Sequence, residues 1–437
     1  MAALLKHTLC ACVLSAGFMS SSVWALDSSA TDDTTPPLTL QAAISAALEN
    51  NPALQGFTYQ LQAADARAQQ ASLRPATELS STLENFAGTG DNKGLSSVEL
   101  TFALSRVVEL GGKRDARVSA ANAMRSSVDV ERQAAQLDVL AEVTRRFIKV
   151  AEYQQRLRLA QTATVLAERT LAGTDRRVKA AKSPHAEFDR ATIAYGRARL
   201  EEQRAVIELE TARLQLAATW GESHALINGQ SFGSIHADLF TLPETGDFAE
   251  LTQRLAKNPD ALRFASEARL RDAELRLATT LRKPDVTLGG GIRRLQATKD
   301  QALVASFSMP LFAGQRANGF VAEARAQRDL LDTERRAAFV KAQTSLFELH
   351  QQLRHAVAEA TTLKEQMLPK MDEALKETEY AFQRGRYSYL ELVDAQREYL
   401  AQQQERIEAS ANAHTLRAEI ERLTNAPIID VATATAP

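Results

Sequence analysis

Arg114–Leu171 reads RDARVSAANAMRSSVDVERQAAQLDVLAEVTRRFIKVAEYQQRLRLAQTATVLAERTL, without one proline or glycine. Those two residues disfavour a helix most, and the run is instead rich in Ala, Leu, Gln, Glu and Arg, which favour it. At the α-helical rise it would extend roughly 87 Å. Leu137, Leu140, Val143, Phe147, Val150 and Leu157 keep the three-, four- and seven-residue spacings of a coiled-coil seam. A second stretch, Arg316–Phe382, would reach roughly 100 Å by the same rise, with Gly319 near its start and Pro369 as a kink point. Leu346, Leu349, Leu353 and Val357 form its seam, and Val393, Leu400 and Ile407 recur every seven residues beyond it. Helices of this length do not fit inside a compact globule, so they must pack side by side with others.

Composition agrees. The chain has 437 residues, 45% hydrophobic and 24% charged, enough apolar material to fold. Aromatics at 6% and only 19 glycines disfavour a conventional all-β domain. Basic and acidic residues nearly cancel, 52 against 54, so nothing marks the chain as a nucleic-acid binder.

The sequence is written twice. Asn51-Pro52-Ala53-Leu54 returns as Asn258-Pro259-Asp260-Ala261-Leu262, Arg74-Pro75 as Lys283-Pro284, Gly112-Lys113-Arg114 as Gly314-Gln315-Arg316, and Glu187 with Ala191 as Glu391 with Ala395. The four matches keep their order at a spacing of roughly 200 residues, the signature of an internal repeat. Repeat 1 is assigned to residues 38–220, a linker to 221–246 and repeat 2 to 247–425. Each repeat is expected to hold two strands (about 75–106 and 284–312), a very long helix (about 114–172 and 316–383) and a returning helix (184–220 and 388–424).

The strand runs alternate with period two. Val98, Leu100, Phe102 and Leu104 interleave with Glu99, Thr101, Ala103 and Ser105; Val286, Leu288, Gly290 and Ile292, and then Leu303, Ala305, Phe307 and Met309, repeat the pattern. Each run has the length of a tilted transmembrane strand, about ten residues. Taken alone they read more readily as half-buried soluble hairpins, because the barrel signal per strand is weak.

The N-terminus reads as a secretory signal over residues 1–25: Lys6, an apolar core from Leu9 to Phe18, and Val23-Trp24-Ala25 as the cleavage site. Cys10 and Cys12 lie inside it, so the processed chain would carry no disulfide or thiolate metal site. Lipidation at Leu9-Cys10-Ala11-Cys12 is discounted because the apolar stretch before it is too short. Residues 26–37 read as an extension and 426–437 as a flexible tail.

An exported chain with four membrane-length strands cannot close a barrel alone, because about eight strands are needed and open edges are not tolerated in lipid. If these strands enter a membrane, several chains must therefore contribute. Two would give eight strands around an interior filled by side chains; three would give a twelve-stranded barrel wide enough for a water-filled lumen, which a pore favours, continued by a hollow helical cylinder. The expected fold is mainly α with a small transmembrane β part: long antiparallel coiled-coil helices in two structural repeats. Gly111, Gly112, Lys113 and Arg114, with Gly314 and Arg316, mark the exits from strand to helix.

At this point a resemblance becomes specific. Gly385-Arg386-Tyr387-Ser388-Tyr389-Leu390-Glu391-Leu392-Val393-Asp394-Ala395-Gln396, the Asn-Pro-x-Leu entries and the Gly-Gly after the hairpin resemble the TolC-like outer-membrane efflux family from Leu38 to Asn425. Val108–Arg114 and Val178–Pro184 are similar to its heavy-metal-cation branch, although Ala181 stands where glycine is usual and Ala313-Gly314 replaces the second Gly-Gly. The resemblance implies a homotrimeric duct in outer-membrane lipid, joined to a periplasmic adaptor and an inner-membrane RND-type pump, with metal cations as the expected cargo. It implies no enzyme activity and no cofactor. A protein-secretion exit duct shares the same fold, and a periplasmic coiled-coil scaffold or adaptor with soluble hairpins is the reading from another class.

The resemblance also puts Glu391 and Asp394 at the periplasmic aperture, where threefold symmetry would gather a ring of carboxylates that draws cations. Ser388-x-x-Glu391 equally reads as a capping box, and Gly385 as a left-handed helix stop. Ser183-Pro184 is expected to be an N-cap followed by proline at the first helical position. Ser183, Pro184, Arg384, Gly385, Arg386 and Ser388 form the expected adaptor contact, against the plainer reading of a solvated helical hairpin. The histidines, among them His350 and His355, lack ligand spacing, so no metal site is expected. Arg145-Arg146 and Arg335-Arg336 are expected on solvated faces.

Overall fold

The computed structural model describes residues 37–425. The expected signal segment with Cys10 and Cys12, residues 26–36 of the extension and the tail 426–437 lie outside the described residues.

The first repeat runs α1 (Leu40–Asn50), α2 (Pro52–Ser72), β1 (Thr77–Glu84), β2 (Glu99–Val108), α3 (Lys113–Lys179) and α4 (His185–Ala217). A small hairpin, β3 (Leu226–Ile227) with β4 (Gln230–Ser231), occupies the linker. The second repeat follows as α5 (Phe248–Leu255), α6 (Pro259–Thr280), β5 (Val286–Leu295), β6 (Gln301–Ser308), a short α7 (Ala313–Arg316), α8 (Asn318–Thr362), a π-helical segment (Leu363–Met367), α9 (Leu368–Gln383) and α10 (Tyr389–Thr424). Among the described residues no helix is long and apolar enough to cross a membrane.

The four long strands form one antiparallel sheet in the order β1-β2-β5-β6. The repeats join in the middle, where β2 pairs with β5 from Glu99 opposite Leu295 to Val108 opposite Val286. Residues paired across the strands share a face. One face carries Leu79, Leu83, Leu100, Phe102, Leu104, Leu288, Ile292, Leu303 and Phe307, all exposed except the half-buried Leu100. Arg106 and Arg294 lie on the same face near its two ends, so the apolar band between them is about 20 Å tall. The opposite face is polar or small: Ser80, Thr82, Thr101, Ala103, Ser105, Gly289 and Gly291. At Gly291 a Cβ would lie 2.8 Å from Ala103 Cα and would also strike the Phe102 carbonyl. Only glycine permits that approach of β5 to β2.

Below the sheet, α3 packs along α2, α4, α6 and α10, while α8 packs along α6 and α10. Val143, Phe147 and Val150 of the expected seam are fully buried, joined by Leu216, Trp220, Leu239 and Ile407 in the main core. A second core gathers Leu251, Leu255, Leu346, Leu353 and Ile420. The two cores lie where the linker wraps the helices. His350 and His414 hold that linker, their Nε2 atoms 3.2 Å from the Gly246 and Leu239 carbonyls. Burial pushes the His414 imidazole below its ordinary pKa, which keeps it neutral.

Several boundaries differ from expectation. α3 runs through Gly173 to Lys179 rather than stopping near 172. Phe382 packs 3.7 Å from where a Gly173 Cβ would be, and tertiary packing outweighs glycine's penalty of about 1 kcal/mol. The second long helix is not continuous. It breaks at Ala317, and again at the π segment just before Pro369. Proline lacks an N–H and crowds the carbonyl four residues back, and the widened turn accommodates both. The buried stripe records the event: Leu346, Leu353 and Ala360 keep a seven-residue step, and after the π segment Leu368, Leu375 and Phe382 resume it one residue later. Arg145 and Arg146 are also not simply solvated. Arg145 pairs with Glu142 at 2.6 Å and with Glu419 of α10, and Arg146 reaches Glu142 and Gln215 of α4, both at 2.7 Å. The sequence carries no mark of these interhelical partners. Burial alone would raise the Glu142 pKa, but the two guanidiniums outweigh it and hold the carboxyl below its usual range.

The two Asn-Pro entries do the same work in each repeat. Asn51 Oδ1 accepts from the N–H groups of Ala53 and Leu54, and its Nδ2 donates to the Thr219 carbonyl at 2.8 Å. Asn258 Oδ1 accepts from Asp260 N–H at 2.8 Å, and its Nδ2 lies 2.8 and 2.6 Å from the carbonyls of Arg422 and Leu423. Each asparagine caps the incoming helix and satisfies the open end of the returning one. Asn258 is 2% exposed, so its replacement strands buried carbonyls. Asn258→Ala should cost about 2–4 kcal/mol and Asn51→Ala about 1–2 kcal/mol. Hydrogen exchange at residues 258–262 and 420–425 checks this: equal protection in the two variants would contradict it.

Candidate functional site

At the end of the bundle far from the sheet, two helical hairpins turn. The first turn follows α3: Ala181 adopts φ +54°, and the Lys182 N–H donates to the Arg177 carbonyl at 2.8 Å. The second follows α9: Gly385 adopts φ +74°, and the Arg386 N–H donates to the Ala381 carbonyl at 2.9 Å. Both are Schellman-type stops that need one left-handed residue. Glycine takes that conformation freely, whereas Ala181 pays about 1–2 kcal/mol for it.

Pro184 stands at the N-cap of α4, not inside it, and Ser183 caps nothing. The Ser183 hydroxyl instead accepts from Arg177 Nε at 3.0 Å. Arg177, which the sequence reading passed over among many arginines, ties the two turns together. Its guanidinium stacks on the Phe382 ring at 4.6 Å and donates to the Phe382 carbonyl at 2.7 Å. Beneath it Phe382, Tyr389, Leu392 and Ala191 form a small buried core. Arg384 turns back over the Tyr380 ring, 5.0 Å away.

Ser388 and Glu391 form a full capping box: Ser388 N–H donates to the Glu391 carboxylate at 2.6 Å, and Glu391 N–H to the Ser388 hydroxyl at 3.3 Å. The Ser388 backbone donor holds the Glu391 carboxyl below its usual range. Glu391 and Asp394 are exposed along one groove of about 740 Å³ between α3, α4 and α10, which Arg190, Arg197 and Arg397 also line. Deeper in the seam Gln396 Nε2 donates to Thr170 Oγ1 at 3.0 Å, both buried.

At the sheet end, Gly111 and Gly112 have φ +80° and +74°. A Cβ on Gly111 would lie 2.7 Å from Lys283 Cδ, so this position needs glycine on both counts. Lys113 is buried and pairs with Asp285 at 2.7 Å; the same carboxylate accepts from the Leu110 N–H at 3.2 Å. Arg117 clamps Glu109, which holds its guanidinium firmly charged, and donates to the Leu73 carbonyl at 3.3 Å. Asp285 and Arg117 were not singled out in the sequence, although Asp285 directly follows Lys283-Pro284. Arg114 and Arg316 are exposed. In the second repeat the left-handed residue is Phe312, φ +60°, while Gly314 lies inside α7. Gly314 is therefore not the counterpart of Gly112 in geometry. Among the described residues no group of three His, Cys, Asp or Glu side chains comes together.

Residues 43–222 and 251–426 match the profile described as outer membrane efflux protein. The chain belongs to that family. The match is in two segments, and the gap between them, residues 223–250, covers the β3–β4 hairpin and the start of α5. The efflux protein is 28% identical over 361 residues to the cobalt-zinc-cadmium resistance protein CzcC of Cupriavidus metallidurans, covering 83% of this chain and 84% of that one. It is 24% identical over 339 residues to the nickel and cobalt resistance protein CnrC of the same organism, covering 76% and 78%. Its fold is similar to that of crystalline CusC, a structure described in terms of transmembrane channel formation: TM-score 0.71 at 16% identity, covering 88% and 91%. By its family the efflux protein is an outer-membrane efflux channel component, a conduit rather than an enzyme.

Arg177→Ala should loosen the tip by about 1.5–3 kcal/mol, through loss of charge-assisted hydrogen bonds and the cation–π contact. Amide exchange at residues 381–386 should speed up at least about tenfold, and Arg177→Lys should fall between, because it lacks the planar fork. Unchanged exchange would refute the bridging role.

Proposed function

We propose that three copies of this efflux protein close a twelve-stranded barrel in outer-membrane lipid. In this reading they form a passive duct for metal cations, fed by a periplasmic adaptor and an inner-membrane RND-type pump. The observation that carries the reading is the open four-stranded sheet. Its β1 and β6 edges are unpaired among the described residues, and one of its faces is an apolar band. Such edges need partners in hydrocarbon, and edge-to-edge joining of copies supplies them.

The helices support the same symmetry. On α4, Ile193, Leu200, Ile207 and Leu214 recur every seven residues and are 57%, 65%, 63% and 42% exposed. On α8, Val340 and Phe347 are likewise exposed. A heptad stripe facing water is an unfilled seam, and α4 of one copy against α8 of the next makes a head-to-tail contact that closes a ring. Ile207→Glu should weaken trimer association more than about tenfold, since burial of such a side chain contributes about 1.5–3 kcal/mol. Native mass spectrometry in detergent reads the outcome, and an undiminished trimer would count against the seam.

Metal cargo rests on CzcC and CnrC, whose names are those of metal-resistance proteins. The helix tips, with Ser183, Pro184, Arg384, Gly385, Arg386 and Ser388, are assigned to the adaptor. Glu391 and Asp394 are assigned to the aperture. The groove arginines oppose these carboxylates, so the set that reaches the threefold axis decides the sign of the filter. Glu391→Gln with Asp394→Asn should lower the cation-to-anion permeability ratio in planar bilayers by about two- to threefold. An unchanged ratio would remove the aperture assignment without touching the fold.

A further inference from the structure

Among the described strands, the polar face of the sheet contains one long cationic side chain, and none of the roles above uses it. Arg293 lies on β5, close to the hairpin loops and far from the helices. On the side towards the helices its neighbours on that face, Gly291 and Gly289 on its own strand and Ala103 on β2, are small, and Leu295 follows it on the loop side. Arg293 Nη1 meets Glu99 at 2.8 Å, Nη2 meets Glu84 at 3.3 Å, and Nε donates to Thr101 Oγ1 at 3.0 Å. Asn85 also donates to Glu99, at 3.0 Å. One guanidinium thus spans β1, β2 and β5 and holds two carboxylates against the wall.

Each chain brings two carboxylates and one guanidinium to this layer, a single net negative charge. Exposed surface pairs contribute little to stability, so the geometry points to an electrostatic role. We propose that Arg293 sets the ion selectivity of the outer mouth of the duct. By neutralising Glu84 and Glu99 it keeps the exit weakly negative, and a departing divalent cation meets no ring of free carboxylates there. Without it, threefold symmetry would leave six carboxylates facing one lumen, a ring that retains cations. This inference rests on the barrel reading above, with the polar face turned inward.

The test uses the full-length protein in planar bilayers, with reversal potentials measured across a potassium chloride gradient. Arg293→Gln should raise the cation-to-anion permeability ratio about two- to threefold, and more at low salt, where screening is weak. Arg293→Lys should stay near wild type, because charge rather than fork geometry carries the effect. Should Arg293→Gln fail to assemble, Glu99→Gln in the wild-type background gives the opposite reading, a lowered ratio. Unchanged ratios in conducting Arg293→Gln and Glu99→Gln channels would overturn the assignment. A wild-type protein that forms no conductance would instead overturn the duct reading itself.

Discussion

The β2–β5 ladder joins a strand of one repeat to a strand of the other, and it fixes how far apart the two helical halves stand. Each hairpin alone would be marginal, since two strands cannot bury a face. Paired, they make a sheet wide enough to present a continuous apolar band on one face and a largely small or polar surface on the other. Register matters because a one-residue slip would exchange the two faces. Gly289 and Gly291 make the close approach possible. Lys113, seated on Asp285, anchors the start of α3 to the start of β5 and carries that register into the bundle.

The repeats are alike in plan and unlike in detail, and the details are where side chains do different work. Asn51 and Asn258 repeat the same double duty, but Asn258 satisfies two carbonyls and is the more deeply enclosed. Gly385 and Ala181 stop equivalent helices, one without strain and one with it. At the sheet junction two glycines in the first repeat face a single left-handed phenylalanine in the second, 75% exposed. A bulky aromatic adopts that conformation only rarely.

Much of this was legible because it depends on periodicity. Seven-residue spacing marks Val143, Phe147, Val150 and Ile407 as interior, and period-two alternation marks the strands. Caps also announced themselves, as Ser388-x-x-Glu391 and Gly385 do, because their chemistry is local. What escaped depends on partners distant in the chain. Gly173 reads as a break until Phe382 is seen against it. Arg177, Arg145 and Arg293 look like any solvated arginine until Phe382, Glu419 and Glu84 arrive from other elements. Pro184 stands one residue earlier than expected, at the N-cap, because the Ser183 hydroxyl is taken by Arg177 rather than by the start of α4.

The π segment between α8 and α9 has a consequence for how long such a protein is allowed to be. Because the interior stripe shifts phase by one residue there, each side keeps its own seven-residue count. Whole heptads, each about 10 Å of helix, could be gained or lost on either side without rotating the other side out of contact, provided the returning helix changes in step. The distance from sheet to tip is thus free to drift among relatives in discrete increments, and an alignment that pairs them correctly must allow its one-residue gap between Ala360 and Leu368.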